Sequence, residues 1–269
     1  EGGEAEEARE GEKDEEGKTA GVEGKGAAQV ATLLASTDRR PDDAGATDDA
    51  SRKKNDEGWR LVCGEEREAD PTLLAAIEAL DEAALKPALE AAVRAGRCLD
   101  GINLKGRTLS DHDSPIDMRR SRVRGAHLEQ ADLREAHLEK ANLIMAHLEE
   151  ANLSGAHLEK AKLLGAHLEK ANLQGAHLKE ADLSYAHLEK ADLEGAHLEE
   201  ANLRVAHLEE ADLEGAHLEK AKLLGAHLEE AHLRVAHLEE ADFRGAHLEK
   251  ADLGGGHLEK ADLKLANLT

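Results

Sequence analysis

The sequence has almost no aromatic residues: Trp59, Tyr185 and Phe243 are the only three in 269 residues. Aromatic side chains bring the largest buried areas to an ordinary globular core, so their scarcity argues against a core of that kind. The apolar content is mostly Ala and Leu instead. Small and unbranched apolar residues of this sort suit a thin, regular interior.

Long apolar runs and cysteine clusters are also missing. No stretch of about 18 apolar residues occurs, so no membrane span is predicted. Cys63 and Cys98 are the only cysteines and lack a metal-type spacing, which favours two reduced thiols in a cytoplasmic protein. The chain starts at Glu1 rather than Met and stops at Thr269 within a repeat, a pattern typical of a fragment or a processed form.

Acidic residues outnumber basic ones, 58 against 35, so the formal net charge is −23. Residues 1–125 sum to −9 and residues 126–269 to −14, so both halves are acidic. Contacts to nucleic-acid phosphates need clustered Lys and Arg. We therefore expect no direct binding of nucleic acid.

Residues 1–58 form an acidic, low-complexity segment with the runs EAEEAREGEKDEE and PDDAGATDDA. Low hydrophobicity with high charge leaves too little apolar surface to offset chain entropy, so we expect disorder. A transient helix over residues 27–36 is the one predicted exception.

Residues 59–96 are predicted to be a helical cap or linker. Asp70 followed by Pro71 is a good helix start. Apolar residues follow at helical spacing: Leu73, Leu74, Ile77, Leu80 and Leu85. Pro87 is expected to end or kink this helix, and a second short turn should end at Gly96. We interpret the segment as a cap over the open end of the domain that follows, with a partner-binding helix as the alternative.

Residues 126–269 repeat every five residues: AHLEQ ADLRE AHLEK ANLIM AHLEE ANLSG, and so on to the end. Repeats of this kind determine the whole fold and must be settled first. In an α-helix, steps of five residues would spread the Leu side chains all round the cylinder. In a continuous strand they would alternate between the two faces. Neither regular element accommodates the pattern.

A coil with four sides does accommodate it. Ala and Leu lie two residues apart in each unit, so a short extended segment points both inward. If each unit then turns by about a quarter, four units make a coil of about 20 residues, and stacked coils pair at about 4.8 Å. About seven coils would give a rod about 35 Å long, stabilised by contacts between neighbouring coils.

The units ADLRE, ANLSG, ADLSY, ADLEG and ADFRG resemble the A(D/N)Lxx signature of the pentapeptide-repeat family, over slightly more than half of the chain. That resemblance implies an all-β solenoid, a right-handed quadrilateral β-helix, over residues 97–269. We expect residues 97–125 to be irregular and residues 126–269 regular. Leu109 and Met118 are nine residues apart, one short of two units, so the phase should slip at residues 111–115.

Alternate units carry histidine, which should form two rows on opposite faces of the coil. One row contains His127, His147, His167, His187, His207, His227 and His247. The other contains His137, His157, His177, His197, His217, His237 and His257, and His232 is extra. Zinc needs three or four converging ligands, and a flat ladder spreads its imidazoles along the rod, so no metal site is predicted. A pH-responsive surface and a solvated outward position remain the alternatives.

The other two faces carry mostly Asp or Asn, which can bond neighbouring backbone at turns. These are Asp132, Asn152, Asn172, Asp192 and Asp212 on one face, and Asn142, Asp182, Asn202, Asp242 and Asp262 on the other. Acid–base catalysis needs a cleft that separates the pKa values of two carboxyls, and a convex rod offers none. A basic cluster stands where the regular repeat begins and is explained by exposed corner positions, with contact with an acidic partner or with the acidic N-terminal segment as the alternative: Arg119, Arg120, Arg122 and Arg124.

These patterns predict a non-catalytic scaffold or protein–protein interaction module with no catalytic residues and no cofactor. The partner would be a protein whose identity the sequence does not give, and the oligomeric state stays open. The alternative comes from the resemblance, since certain acidic pentapeptide-repeat rods mimic DNA and bind type II topoisomerases. Lys162 and Lys222 interrupt the negative surface and weigh against mimicry.

Overall fold

The computed structural model describes residues 26–35, 69–110 and 114–269. Three helices cover one end of a solenoid: α1 over residues 26–35, α2 over Pro71–Glu78 and α3 over Glu82–Arg94. From Cys98 onward, single parallel β-bridges replace continuous strands. Each five-residue unit contributes one bridge residue, and four units complete a coil.

Side-chain caps define helices α2 and α3. The Asp70 carboxylate accepts hydrogen bonds from the backbone N–H groups of Thr72 and Leu73, and Asp81 accepts one from Ala84. Residues 79–81 are not helical and separate α2 from α3. Buried Ile77, Leu85 and Leu89 then face the first coil.

The prediction that Pro87 ends the helix is wrong, because Pro87 lies inside α3, and a kink at this residue stays a prediction. A proline within a helix removes one backbone hydrogen bond, to the carbonyl four residues earlier. That residue is Ala83, which is exposed, as Pro87 is, so water can reach the freed carbonyl. The apolar face of α3, including Leu85 and Leu89, stays buried.

Helix α1 packs on the same core. Val30 is buried, Leu33 and Leu34 are packed against the core, and the Arg97 guanidinium donates a 2.8 Å hydrogen bond to the Leu34 carbonyl. The rest of the segment predicted to be disordered, residues 1–25 and 36–58, lies outside the described residues, as do residues 59–68.

The units of the regular repeat up to residue 248 make the same hydrogen bonds. The unit at residues 186–190 is typical: His187 N–H donates to the Ala166 carbonyl (2.9 Å), while Leu188 N–H donates to the His207 carbonyl (2.6 Å). A turn then closes from Ala191 N–H to the Leu188 carbonyl at 3.0 Å. The fifth residue of the unit, Lys190, has φ of 60°, the left-handed conformation that a type II turn requires at its third position.

Ala and Leu fill the interior as the pattern predicts. Up to Leu248 these side chains in the regular repeats are at most 2% exposed, and Phe243 takes a Leu position at 0%. Bridges join residues 20 apart from Asp117 onward, so the four-sided coil predicted from the period is present.

The first coil is longer than the others. Its bridges join residues 24 apart, such as Cys98 with Arg122 and Thr108 with Asp132. The step from Leu109 to Met118 is therefore one unit lengthened by four residues, not two units shortened by one. The phase slips where the sequence predicts it, although residues 111–113 lie outside the described chain.

Cys98 is buried and disulfide-bonded, so the prediction of two reduced thiols is wrong, and the cytoplasmic location predicted from them stays a prediction. Among the described residues, no helix is both long enough and apolar enough to cross a membrane.

Candidate functional site

The two histidine rows lie on opposite faces and stack ring upon ring. We name the faces by their units: face 1 begins at residue 126, face 2 at 131, face 3 at 136 and face 4 at 141, each recurring every 20 residues. Along faces 1 and 3, the centroids of consecutive imidazoles are 4.6–5.2 Å apart. The rows are as predicted, and their spacing is that of the coils themselves.

Most histidines of the two rows face a glutamate that was not predicted to be a site residue. In twelve units the Nδ1 atom lies 3.2–3.8 Å from Oε1 of the Glu two residues later, as in His147 with Glu149 at 3.2 Å. The next coil is also close, since His247 Nδ1 lies 4.0 Å from Glu229 Oε1. Imidazole and carboxylate therefore alternate along both faces.

The second oxygen of these carboxylates is buried. In twelve Glu residues of the two rows, Oε2 is inaccessible to solvent and accepts no hydrogen bond from another residue. For Glu129, burial opposes ionisation, but its own backbone N–H, His127 and Lys105 outweigh that effect and hold the pKa of the carboxyl below its usual value. The carboxylates are thus fixed with one oxygen inward and one turned to the histidine row.

His177 is the exception in face 3, because Lys179 occupies the position where its neighbours have Glu. Burial lowers the pKa of His177, and the adjacent His157 and His197 lower it further. This unit interrupts the carboxylate row on face 3, whereas face 1 carries seven such Glu without a break.

The Asp and Asn residues of faces 2 and 4 have the structural role that the sequence predicts. In most units Oδ1 accepts a hydrogen bond from the backbone N–H two residues later, as Asn172 does from Gln174 (3.0 Å) and Asp212 from Glu214 (3.0 Å). Their oxygens are engaged at the turns and do not converge on a cleft.

The arginine cluster is distributed over an edge of the solenoid next to the cap. Arg119 donates two hydrogen bonds to the Asp117 carboxylate, from Nε to Oδ1 and from Nη2 to Oδ2. These bonds hold the pKa of the Asp117 carboxyl below its usual value. Arg122 pairs with Asp100 at 2.7 Å. Arg124 and Arg119 have exposed side chains. The predicted corner placement accounts for Arg119 and Arg124.

Charge is distributed unevenly over the four faces. The units from residue 126 onward give face 1 a net charge of −7, face 2 −5, face 3 −4 and face 4 +2. Face 4 owes its sign to Lys162, Arg204, Lys222 and Arg244. The acidic surface noted in the sequence therefore belongs to three faces only.

Face 4 also carries the main group of exposed apolar side chains, which we call the apolar strip. It consists of the exposed residues Met145, Leu164 and Tyr185 together with the half-buried residues Ile144, Val205 and Leu224. Met145 is 54% exposed, Tyr185 58% and Leu164 37%. These residues occupy the last two positions of their units, and four coil steps make the strip about 19 Å long.

Neither the glutamate rows nor the apolar strip was predicted from the sequence as a binding surface. A signal for each was present: the fourth position of nearly every His unit is Glu, and the last two positions of the units that form face 4 are often apolar. Grouping the units that lie 20 residues apart would have placed the glutamates of each row together, and the apolar residues of face 4 together.

No enclosed cavity adjoins these residues in the described chain. The two best-formed depressions are open grooves, one at Glu210, Glu230, His232, Lys250 and Asp252, and one between Glu180, Asp182, Asn202 and Lys222. Such grooves do not surround a small molecule as a usual ligand pocket does.

A family model described as pentapeptide repeats matches residues 116–155, 151–189, 161–199, 181–219, 196–234 and 211–250, which together span just over half of the chain. No curated protein matches the chain. Among solved structures, it is similar to HetL, a pentapeptide repeat protein involved in heterocyst differentiation regulation from the cyanobacterium Nostoc. The identity is 31%, over 63% of this chain and 88% of HetL, with a TM-score of 0.33.

Two other solved structures are similar at lower sequence identity. QnrB1, a plasmid-mediated fluoroquinolone resistance protein, is 19% identical over 62% of this chain and 88% of its own, with a TM-score of 0.38. A pentapeptide repeat protein from the thylakoid lumen of Arabidopsis thaliana is 23% identical over 52% of this chain and 66% of its own, with a TM-score of 0.18.

Proposed function

Because the chain belongs to the pentapeptide-repeat family, we propose that it is a non-catalytic scaffold that binds a partner protein through face 4. The solenoid is assigned the right-handed, quadrilateral form of that family. The single observation that carries the proposal is the coincidence, on one face, of the apolar strip and the only net positive charge.

The physical argument concerns what a partner would gain. Apolar atoms that leave water on binding supply most of the favourable free energy. Exposed aromatic and Met side chains, such as Tyr185 and Met145, are enriched in protein interfaces relative to the rest of the surface. On faces 1 and 3 a partner would have to desolvate carboxylates in nearly every unit.

The chemistry of the partner follows from the same face. Lys162 and Lys222 are exposed and flank the apolar strip, so a complementary surface would present apolar side chains with carboxylates beside them. Charges at the rim of such an interface set the association rate and the specificity more than the affinity.

The experiment compares three forms of the full chain as bait in a lysate of the source organism. These are the natural protein, the double variant Met145→Glu and Tyr185→Glu, and the control Val235→Glu. Val235 is 48% exposed on face 2, so the control adds a carboxylate to an exposed apolar position elsewhere. Bound proteins would be quantified by mass spectrometry.

We expect specific partners to be lost from the double variant and retained by the control. Identical partners on all three baits would contradict binding through face 4. Partners captured equally by the isolated cap segment would assign the binding to the helices instead.

Mimicry of DNA is the second candidate, and the uninterrupted Glu column of face 1 favours it. Against it, Lys190 pairs with Glu210 (3.3 Å) and Lys250 with Glu230 (2.6 Å) on that same face. Capture of a type II topoisomerase, its release by salt and inhibition of DNA supercoiling would replace the first proposal with this one.

A further inference from the structure

The histidine and glutamate rows bring metal-ligating atoms together across neighbouring coils. In each of seven groups, one ligand atom from each of three residues lies within 4.8 Å of the others. His227, Glu229 and His247 form one such triad, and Glu149, His167 and Glu169 form another. Each triad takes residues from two consecutive coils, so only the stacked fold assembles it.

The hydrogen bonds between imidazole and carboxylate are long, and their lengths also fit two ligands of a shared metal ion. A strong bond between imidazolium and carboxylate would measure about 2.7–2.9 Å, whereas most of these Nδ1–Oε1 distances are 3.2–3.5 Å. Ligand atoms bound tetrahedrally to zinc at about 2.0–2.1 Å are about 3.4 Å apart. The cross-coil distance of 4.0 Å between His247 and Glu229 needs to shorten by only about 0.6 Å to match.

The charges also favour a divalent cation. Glu149, Glu169 and Glu189 stand on consecutive coils, about 4.8 Å apart, and each has its inner oxygen Oε2 buried without a donor from another residue. Like charges so placed repel one another, and a divalent ion between two of them removes that repulsion. Neutral imidazole with carboxylate is a ligand set that zinc accepts and that calcium, which prefers six to eight oxygens, does not.

The geometry points to a row of Zn²⁺ sites along face 1, each formed by His and Glu side chains of two adjacent coils, with water completing the coordination. Adjacent triads share a residue, as Glu169 belongs to two of them, so neighbouring sites compete and not every coil is filled at once. Face 3 offers fewer sites, because Lys179 interrupts its Glu row.

The test is calorimetric titration of the full chain with ZnCl₂ at pH 7.5, with CaCl₂ as the hard-cation comparison. The test variant carries Glu149→Gln, Glu169→Gln and Glu189→Gln, which preserve shape and remove charge. The control variant carries Glu135→Gln, Glu194→Gln and Glu214→Gln, the same charge change on face 2, where no continuous histidine row runs. Circular dichroism would establish that both remain folded.

We expect the natural chain to bind at least about two Zn²⁺ and no calcium. The face 1 variant should bind fewer Zn²⁺ ions than the natural chain, because it loses the triads built on Glu149, Glu169 and Glu189 and keeps the others, and the control should bind the same number as the natural chain. A Lys179→Glu variant should gain zinc binding by completing the Glu row of face 3. Substituting Co²⁺ should give visible absorption bands typical of four-coordinate cobalt, and these bands should be weaker in the face 1 variant.

Equal zinc binding by the natural chain, the face 1 variant and the control would overturn the proposal, because the ions would then be held by scattered surface groups. No zinc binding by the natural chain would overturn it as well. Zinc binding that persists after unfolding in urea would have the same meaning, since only the stacked coils bring each triad together.

Discussion

The Leu side chains of the first coil are more deeply buried than those of the last coil, although the regularity of the two sequences predicts the opposite. The first coil is irregular, with a four-residue insertion, yet Leu99, Leu104 and Leu109 are at most 1% exposed. The last coil consists of good repeats, yet Leu263 is only partly buried and Leu268 is 52% exposed. Burial here depends on what lies above a coil, and the helical cap covers only the first.

Specific hydrogen bonds join the helical cap to the first coil. Arg107 donates to the carbonyls of Glu78 and Leu80 at the end of α2, and the Glu78 carboxylate accepts the backbone N–H of Asn103. These bonds satisfy helix-end carbonyls that would otherwise lack partners. The comparison therefore teaches that a solenoid coil is stable when both of its neighbours are present, whatever the regularity of its own sequence.

The largest expected effect is the loss of stability when a buried Leu of the first coil is replaced by Ala. Leu104→Ala should lower the free energy of unfolding by about 3–4 kcal/mol, because it leaves a cavity under the cap. Leu258→Ala, in the partly exposed last coil, should cost about 1 kcal/mol or less. Chemical denaturation of both variants measures the difference. Equal costs would show that the cap does not bury the first coil.

A smaller effect is expected for the bonds that hold the cap. Arg107→Met should destabilise the chain by about 1–2 kcal/mol, since two helix-end carbonyls lose their donor. Arg134→Met serves as the control, because its exposed ion pair with Asp132 should contribute nothing measurable. Denaturation curves and proteolysis within residues 69–96 would report both. A matching loss in the control would indicate a general effect of charge.

Two glycine variants, one in the first coil and one in the interior of the solenoid, should lower stability by the same amount. Gly106 in the first coil and Gly175 in the interior have φ of 66° and 63°, and a Cβ at either would touch nothing within 4 Å. Gly106→Ala and Gly175→Ala should each cost about 1 kcal/mol, the strain of the left-handed conformation for an L-residue. Thermal unfolding compares them. A clear inequality would show that the turns depend on neighbouring coils, as packing does.

The smallest expected effect is the change of stability with pH that His177 causes. Burial and neighbouring histidines hold the pKa of His177 below its usual value, so below about pH 6.5 the unfolded chain binds more protons at this site. Stability contributed by neutral His177 is therefore present above that pH and decreases as the pH falls. Lys179→Glu should raise the pKa of His177 and reduce the loss.

The change in unfolding free energy should be below about 1 kcal/mol, because the site is partly exposed. Denaturation at pH 8.0 and 5.5, with an NMR titration of His177, measures it. An unchanged pKa in the variant would show that the position two residues later does not govern the histidine.

Much of the fold could be predicted because the five-residue period allows few solutions. Ala131 and Leu133, two residues apart, must point inward together, and that requirement leads to the four-sided coil. The turn bonds of Asn172 and Asp212 follow from short polar side chains next to a turn. Pro87 was misjudged because helix packing outweighs one lost hydrogen bond when the freed carbonyl is exposed.

The sequence by itself determined the repeat, the inward Ala and Leu, and the two histidine rows, because each depends only on spacing along the chain. Tertiary structure alone decided which residues share a face across coils. Residues 20 apart become neighbours only after stacking, so the contact of Glu229 with His247 and the union of Met145, Leu164 and Tyr185 in one strip are properties of the folded chain. The candidate binding sites arise from that second set, because binding depends on surfaces that several coils build together.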